Sequence, residues 1–143
     1  MSSSVEIHRL AEEVFAFVSD MEHNPRWQKG MKSCRWTSQP PIGVGSTYAQ
    51  VAGFLGREIE TAFEVVEFEP GERIRITSTK GTFPLDITRN VEAVSSGSCR
   101  VRAVIKGEPG GLLGVLAPVT KPLANRSIQK DYRRLKELLE RAH

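Results

Sequence analysis

The feature that most limits the fold is a change of period along the chain. From Ser33 to Lys106 apolar residues recur at every second position, and from Pro122 to Arg141 they recur at helical spacing. Period two marks strands with one buried face, whereas a period near 3.6 marks a helix with one apolar stripe. A sheet with a single apolar face must bury that face, and the closing helix is the only predicted element long enough to cover it. The expected architecture is therefore α+β, a curved antiparallel sheet wrapped around the long C-terminal helix.

Ser4 to His8 reads as a short first strand, with Val5 and Ile7 on one face and Glu6 and His8 on the other. In the segment LAEEVFAFVSDM, residues Leu10, Val14, Phe17, Val18 and Met21 share a helical stripe, and Glu12 and Glu13 sit in the first turn, where the helix dipole favours acids. Asn24-Pro25 should end that helix, and a second very short helix is expected from Pro25 to Met31. Cys34 and Trp36 begin the next strand, and Thr47 to Phe54 places Tyr48, Gln50, Ala52 and Phe54 on one face. In the long strand Arg57 to Glu69, Ile59, Thr61, Phe63 and Val65 oppose Glu58, Glu60, Ala62 and Glu64. Phe68 is out of phase with the apolar set, which predicts a bulge near Val65-Val66. Arg73 to Ser78, Phe83 to Val94 and Cys99 to Lys106 complete a meander, with turns at Pro70-Gly71, Lys80-Gly81 and Ser95 to Ser98. The total is about seven strands, with two short helices after the first.

A length of 143 residues suits one domain spanning 1–143 and suffices to bury a core without disulfides or metal. With 39% hydrophobic and 26% charged residues the chain is neither disordered nor a membrane protein by composition. The longest apolar stretch, Leu112 to Val119, is broken by Gly114 and Pro118 and is too short to span a bilayer, so stable membrane insertion is not expected. The start, MSSSVEIHRL, lacks the basic and apolar regions of a signal peptide, and a cytoplasmic location is expected. The net charge of +3 is spread along the chain; its densest cluster, Lys130, Arg133, Arg134 and Lys136, alternates with Asp131, Glu137 and Glu140, as on a solvated helix face. Nucleic acid is not expected as a partner, because stacking aromatics are not interleaved with these charges. Cys34 and Cys99 have no metal-like spacing and read as small buried hydrophobes.

Residues able to do acid–base chemistry fall in the wrong places. His8 faces outward, His23 lies in a polar loop and His143 ends the chain, with no zinc-like spacing among them. Glu58, Glu60 and Glu64 share the wet face of their strand. No serine or cysteine has a patterned histidine partner, and no glycine-rich phosphate loop follows a strand. No catalytic residue, metal or cofactor is expected.

Polar residues in phase with the apolar face carry more information. Gln50 is in phase with Tyr48 and Phe54, Thr61 with Ile59 and Phe63, and Arg89 with Leu85 and Ile87. A buried polar group without a partner costs about 1–3 kcal/mol, so each must meet a protein group, water or ligand. Two readings of Arg89 stay open: a register slip takes it to solvent, or it joins Gln50, Tyr48 or Thr61 in orienting the polar or anionic head of a ligand. Trp27, Phe54, Phe63, Phe83, Leu85, Ile87 and Leu116 serve as core and as cavity wall on this face. Gly110-Gly111 ahead of Leu112-Leu113 is the expected hinge of a gate.

The segment VEIHRLAEEVFAFVSDMEHNPRW resembles the opening of the START-related helix-grip superfamily, in its polyketide cyclase/dehydrase-like branch: a strand, a helix carrying EVFAFVSD, then a loop ending in Trp27. The resemblance continues through GVGSTYAQV, EVVEFEPGERIRI and a closing helix with Arg126 and YRRLKELLE, nearly the whole chain. It implies a helix-grip fold and a cavity between sheet and C-terminal helix that takes hydrophobic or amphipathic molecules; members include aromatic polyketide cyclases, lipid and sterol carriers and hormone receptors. It brings no common catalytic residue. The chain departs from the pattern in its short first strand and in Pro118 and Pro122, which alter the cavity mouth. The expected function is binding of a lipid, quinone or polyketide-like small molecule. The alternative is a cyclase/dehydrase-type enzyme in which Arg89 or Tyr48 polarises a carbonyl. A third reading is an interaction module docking through a strand edge or the long helix, and a homodimer is left open.

Overall fold

A computed structural model describes residues 1–54, 56–81, 84–107 and 121–141. Its sheet contains β1 (Ser2–Ile7), β2 (Met31–Trp36), β3 (Thr47–Phe54), β4 (Arg57–Glu69), β5 (Arg73–Gly81), β6 (Leu85–Ser95) and β7 (Ser98–Gly107). Helix α1 (Ala11–Val18) and a 3₁₀ helix (Met21–Arg26) follow β1, and helix α2 (Lys121–Arg141) closes the chain. Every strand pair is antiparallel, and the order β1-β7-β6-β5-β4-β3-β2 brings the first strand back beside the last.

The register turns the alternating residues into one continuous inner face. Tyr48 pairs with Phe63, Gln50 with Thr61, Val65 with Ile76, Ile87 with Ile105 and Arg89 with Ala103. A shift between Val65 and Glu67 keeps both Val65 and Phe68 inward, opposite Ile76 and Ile74, as the phase of Phe68 predicts. A second shift lies between Ala62 and Phe63, where β5 carries the extra residue Thr79. It lets β5 continue through Lys80 and Gly81, which the sequence marks as a turn but which pair with Ala62 and Thr61.

The short helices differ from expectation. The 3₁₀ helix runs over Met21–Arg26 rather than Pro25 to Met31, because the Asp20 carboxylate accepts from the Glu22 amide at 3.1 Å and starts the turn ahead of the proline. In α1 the buried residues are Val14, Phe15 and Val18; Leu10 is exposed, and Phe17 stacks on His23.

Helix α2 sends Tyr132, Leu135 and Leu139 into a core built with Ile7, Val14, Phe63, Val65, Ile74 and Val101. It is tied to β1, where Ser3 Oγ donates to Gln129 Oε1 at 2.6 Å and Lys136 Nζ donates to the Glu6 carbonyl at 2.9 Å. Arg9 Nη1 donates to the Leu139 carbonyl at 2.7 Å, serving one of the last carbonyls of the helix. The outer sheet face is charged: Arg75 forks onto Asp86 at 2.7 and 3.0 Å and reaches Glu67 at 2.8 Å, holding both carboxyls below their usual range through these hydrogen bonds. No helix among the described residues is long and apolar enough to cross a membrane.

Candidate functional site

Between the inner sheet face and α2 lies a cavity of about 130 Å³. Its apolar lining comes from Met31 of β2, Ile76 of β5, Ile87 of β6, Ile105 of β7 and Ile128 of α2. Its polar lining is Asn24 and Gln28 after α1, Tyr48 and Gln50 of β3, Arg89 of β6, and Asp131 and Tyr132 of α2.

Arg89 organises the polar lining. It is only 3% exposed, so strand alternation holds through this position and the arginine faces inward. Its Nη1 donates to the Val18 carbonyl at 2.9 Å, to Asn24 Oδ1 at 3.0 Å and to the Met21 sulfur at 3.5 Å, while Nε donates to the Tyr132 hydroxyl at 3.2 Å. The guanidinium also stands 4.9 Å above the Trp27 ring, a cation–π contact, and Trp27 packs on Tyr132 with ring centroids 4.8 Å apart. The Val18 carbonyl belongs to the last turn of α1, where the helix dipole favours a cation.

Tyr48 stacks on Phe63 with centroids 5.1 Å apart, and burial pushes its phenol well above the ordinary tyrosine range. It therefore stays protonated and offers an O–H to the cavity. Burial likewise pushes the Cys34 thiol up to about 12, which denies it a thiolate role at neutral pH.

Asp131 is the site residue that the sequence misplaces. Read as part of a solvated face, it instead lines the cavity, with its side chain 18% exposed and Oδ1 accepting from Arg134 Nη1 at 2.8 Å and the Lys29 amide at 3.3 Å. The available signal was its position three residues after Ile128 and beside Tyr132, at the rim of the apolar stripe. Burial raises its carboxyl, outweighing these hydrogen bonds. A carboxyl with a raised folded-state pKa opposes folding when ionised, so its penalty is full above that pKa and vanishes as pH falls through it. Asp131→Asn is accordingly expected to raise the thermal midpoint at pH 7, with the gain over the wild type shrinking on acidification. Paired melts across the carboxylate range check this; a midpoint lowered at pH 7 would contradict it.

Of the expected wall residues, Tyr48, Gln50, Ile87 and Arg89 line the cavity. Trp27 and Phe63 are buried in the core behind it, and Leu85 packs half-buried against that core. Thr61, with Gln50 and Cys34, borders a larger depression of about 890 Å³ on β2 to β5. Arg35, Ala49, Ala62 and Lys80 also border it. Among the described residues that surface mixes small and exposed charged residues, whereas the smaller cavity holds the buried polar cluster around Arg89, which makes it the better candidate site. Phe83, Leu116, Gly110-Gly111 and the Phe54 side chain lie outside the described residues. His8 is exposed and His23 rests against Phe17; neither borders the cavity. Among the described residues no set of three His, Cys, Asp or Glu side chains converges as a metal site.

The sequence family described as polyketide cyclase / dehydrase and lipid transport matches residues 1–140. The chain belongs to this family. An uncharacterized protein of Mycobacterium tuberculosis, Rv2574, is 26% identical over 142 residues, covering 94% of this chain and 80% of its own length. The structure of Zhui aromatase/cyclase from Streptomyces sp. R1128 aligns with a TM-score of 0.76 at 10% identity, over 99% of this chain and 93% of that one. A START superfamily protein from Mycobacterium smegmatis aligns with a TM-score of 0.68 at 19% identity, over 98% and 93% of the two chains. Likeness at such identities concerns the fold, and the curled seven-stranded sheet with its C-terminal helix is the helix-grip arrangement.

Proposed function

We propose that this polyketide cyclase/dehydrase and lipid transport family member binds a hydrophobic or amphipathic small molecule between its sheet and α2. The observation that carries this reading is one cavity lined both by polar groups, among them Arg89, Tyr48 and Gln50, and by the isoleucines Ile76, Ile87, Ile105 and Ile128. Such a lining suits a ligand with an apolar body and one polar group. Native mass spectrometry of the purified chain is expected to find a co-purified apolar molecule, or a hydrophobic dye to bind once it is stripped. Ile87→Trp, which fills the cavity, should abolish dye binding while circular dichroism stays native. A chain that carries no ligand and binds no dye would overturn the reading.

One observation favours a second reading, an enzyme of the cyclase/dehydrase type. Asp131, with its raised carboxyl, lines the same cavity as the guanidinium of Arg89 and the phenol of Tyr48. A protonated phenol and a carboxylate able to take up a proton, in one cavity with a cation able to polarise a carbonyl, are the minimum such chemistry needs. Once a ligand is known, Arg89→Gln and Asp131→Asn separate the two readings: an enzyme loses kcat, whereas a carrier loses affinity alone.

A further inference from the structure

We propose that the molecule held in this cavity is an organic acid whose carboxylate head sits on the Arg89 guanidinium; this rests on the binding reading above and narrows it from any amphipathic molecule to an anionic one. An arginine side chain stays charged at all working pH values, and a buried charge is tolerated when an opposite charge meets it. The acceptors around Arg89 are neutral: the Val18 carbonyl, Asn24 Oδ1, the Met21 sulfur and the Tyr132 hydroxyl. They occupy Nε and Nη1 only. Among the described residues no carboxylate forms an ion pair with Arg89, and no acceptor meets Nη2.

The one acid lining the cavity does not fill that role. Asp131 is engaged by Arg134 and the Lys29 amide and forms no ion pair with Arg89. A carboxylate entering the cavity meets a cation whose Nη2 serves no acceptor among the described residues, a protonated Tyr48 phenol, and isoleucine walls for its carbon skeleton. An alcohol, ester or quinone of the same shape leaves the charge uncompensated.

The test uses the stripped full chain and matched probes sized to a cavity of about 130 Å³: butanoate against butanol and butanamide, and benzoate against benzamide. Binding is read by calorimetry and by the emission of Trp27, whose ring faces Arg89 at 4.9 Å. In the Trp36→Phe background Trp27 is the sole tryptophan, since the chain has two. The expected result is that at least one acid binds roughly tenfold or more tighter than its neutral partners. Arg89→Gln should bind acid and neutral probes alike. If that variant does not fold, the wild-type ratio decides alone. Equal binding of acids and neutral probes, or dye binding with no acid bound, overturns the carboxylate head and leaves the binding reading standing. Loss of dye, acids and neutral probes together overturns both.

Discussion

Replacing Phe63 with alanine is expected to destabilise the protein by about 3–5 kcal/mol, the usual cost of emptying an aromatic core position. Phe63 is 0% exposed, pairs with Ser78 across β4 and β5, and stacks on Tyr48 of β3. No ring nearby is free to fill the space, because Tyr48 is itself held between Phe63 and the edge of Trp36, whose centroid is 5.4 Å away. The thermal midpoint should fall by roughly 10–17 °C for a chain of this size. Phe63→Leu, which keeps much of the volume, should cost well under half as much. The comparison discriminates between the two roles the sequence allows this residue. A side chain that bordered open ligand space would lose little on truncation, so a loss below about 1 kcal/mol would move Phe63 from core to cavity wall.

The contrast between Phe63 and Arg89 shows what alternation carries and what it omits. Both lie on the inner face by phase alone, and β4 has the bounds that its alternation predicts, from Arg57 to Glu69. Arg89 keeps its phase because the β5–β6 register runs unbroken from Arg73 opposite Asn90 to Thr77 opposite Asp86, and the shift on the other side of β6 comes later, between Ala93 and Ser95. Period two cannot supply partners, however. Those of Arg89 lie 43 to 71 residues away, on α1, the 3₁₀ helix and α2, and reach it only when the sheet curls and α2 docks. The same limit explains Asp131: charge alternation along a helix marks a wet face, but the rim of an apolar stripe faces whatever the stripe covers. It also explains Asn24, which beside a proline reads as a helix stop and in the fold is an acceptor for a buried cation. The pairing of β1 with β7 is equally silent in the sequence, since six residues of strand find a partner about one hundred positions on.

Asn24→Ala is the substitution expected to expose how Arg89 is tolerated. Asn24 is 2% exposed, and its Oδ1 accepts from Arg89 Nη1 at 3.0 Å, while its amide nitrogen reaches only the sulfurs of Met21 and Cys34 at 3.6 and 3.8 Å. Its backbone carbonyl, which accepts from the Trp27 and Gln28 amides, is untouched by the change. Alanine therefore removes one acceptor from a buried charge and leaves that charge in place, an imbalance worth about 2–3 kcal/mol. In an Arg89→Met background the cation is gone and the Asn24 oxygen is already unserved, so the same truncation should cost about 1 kcal/mol or less. A double-mutant cycle should thus give a coupling of about 1–2 kcal/mol between the two positions. Additive losses would mean that Asn24 supports the 3₁₀ helix alone and does not compensate the guanidinium. The cycle also bears on the ligand: if a carboxylate sits on Arg89, saturating butanoate should restore more of the Asn24→Ala loss than butanol does, because the bound anion compensates the guanidinium that lost an acceptor.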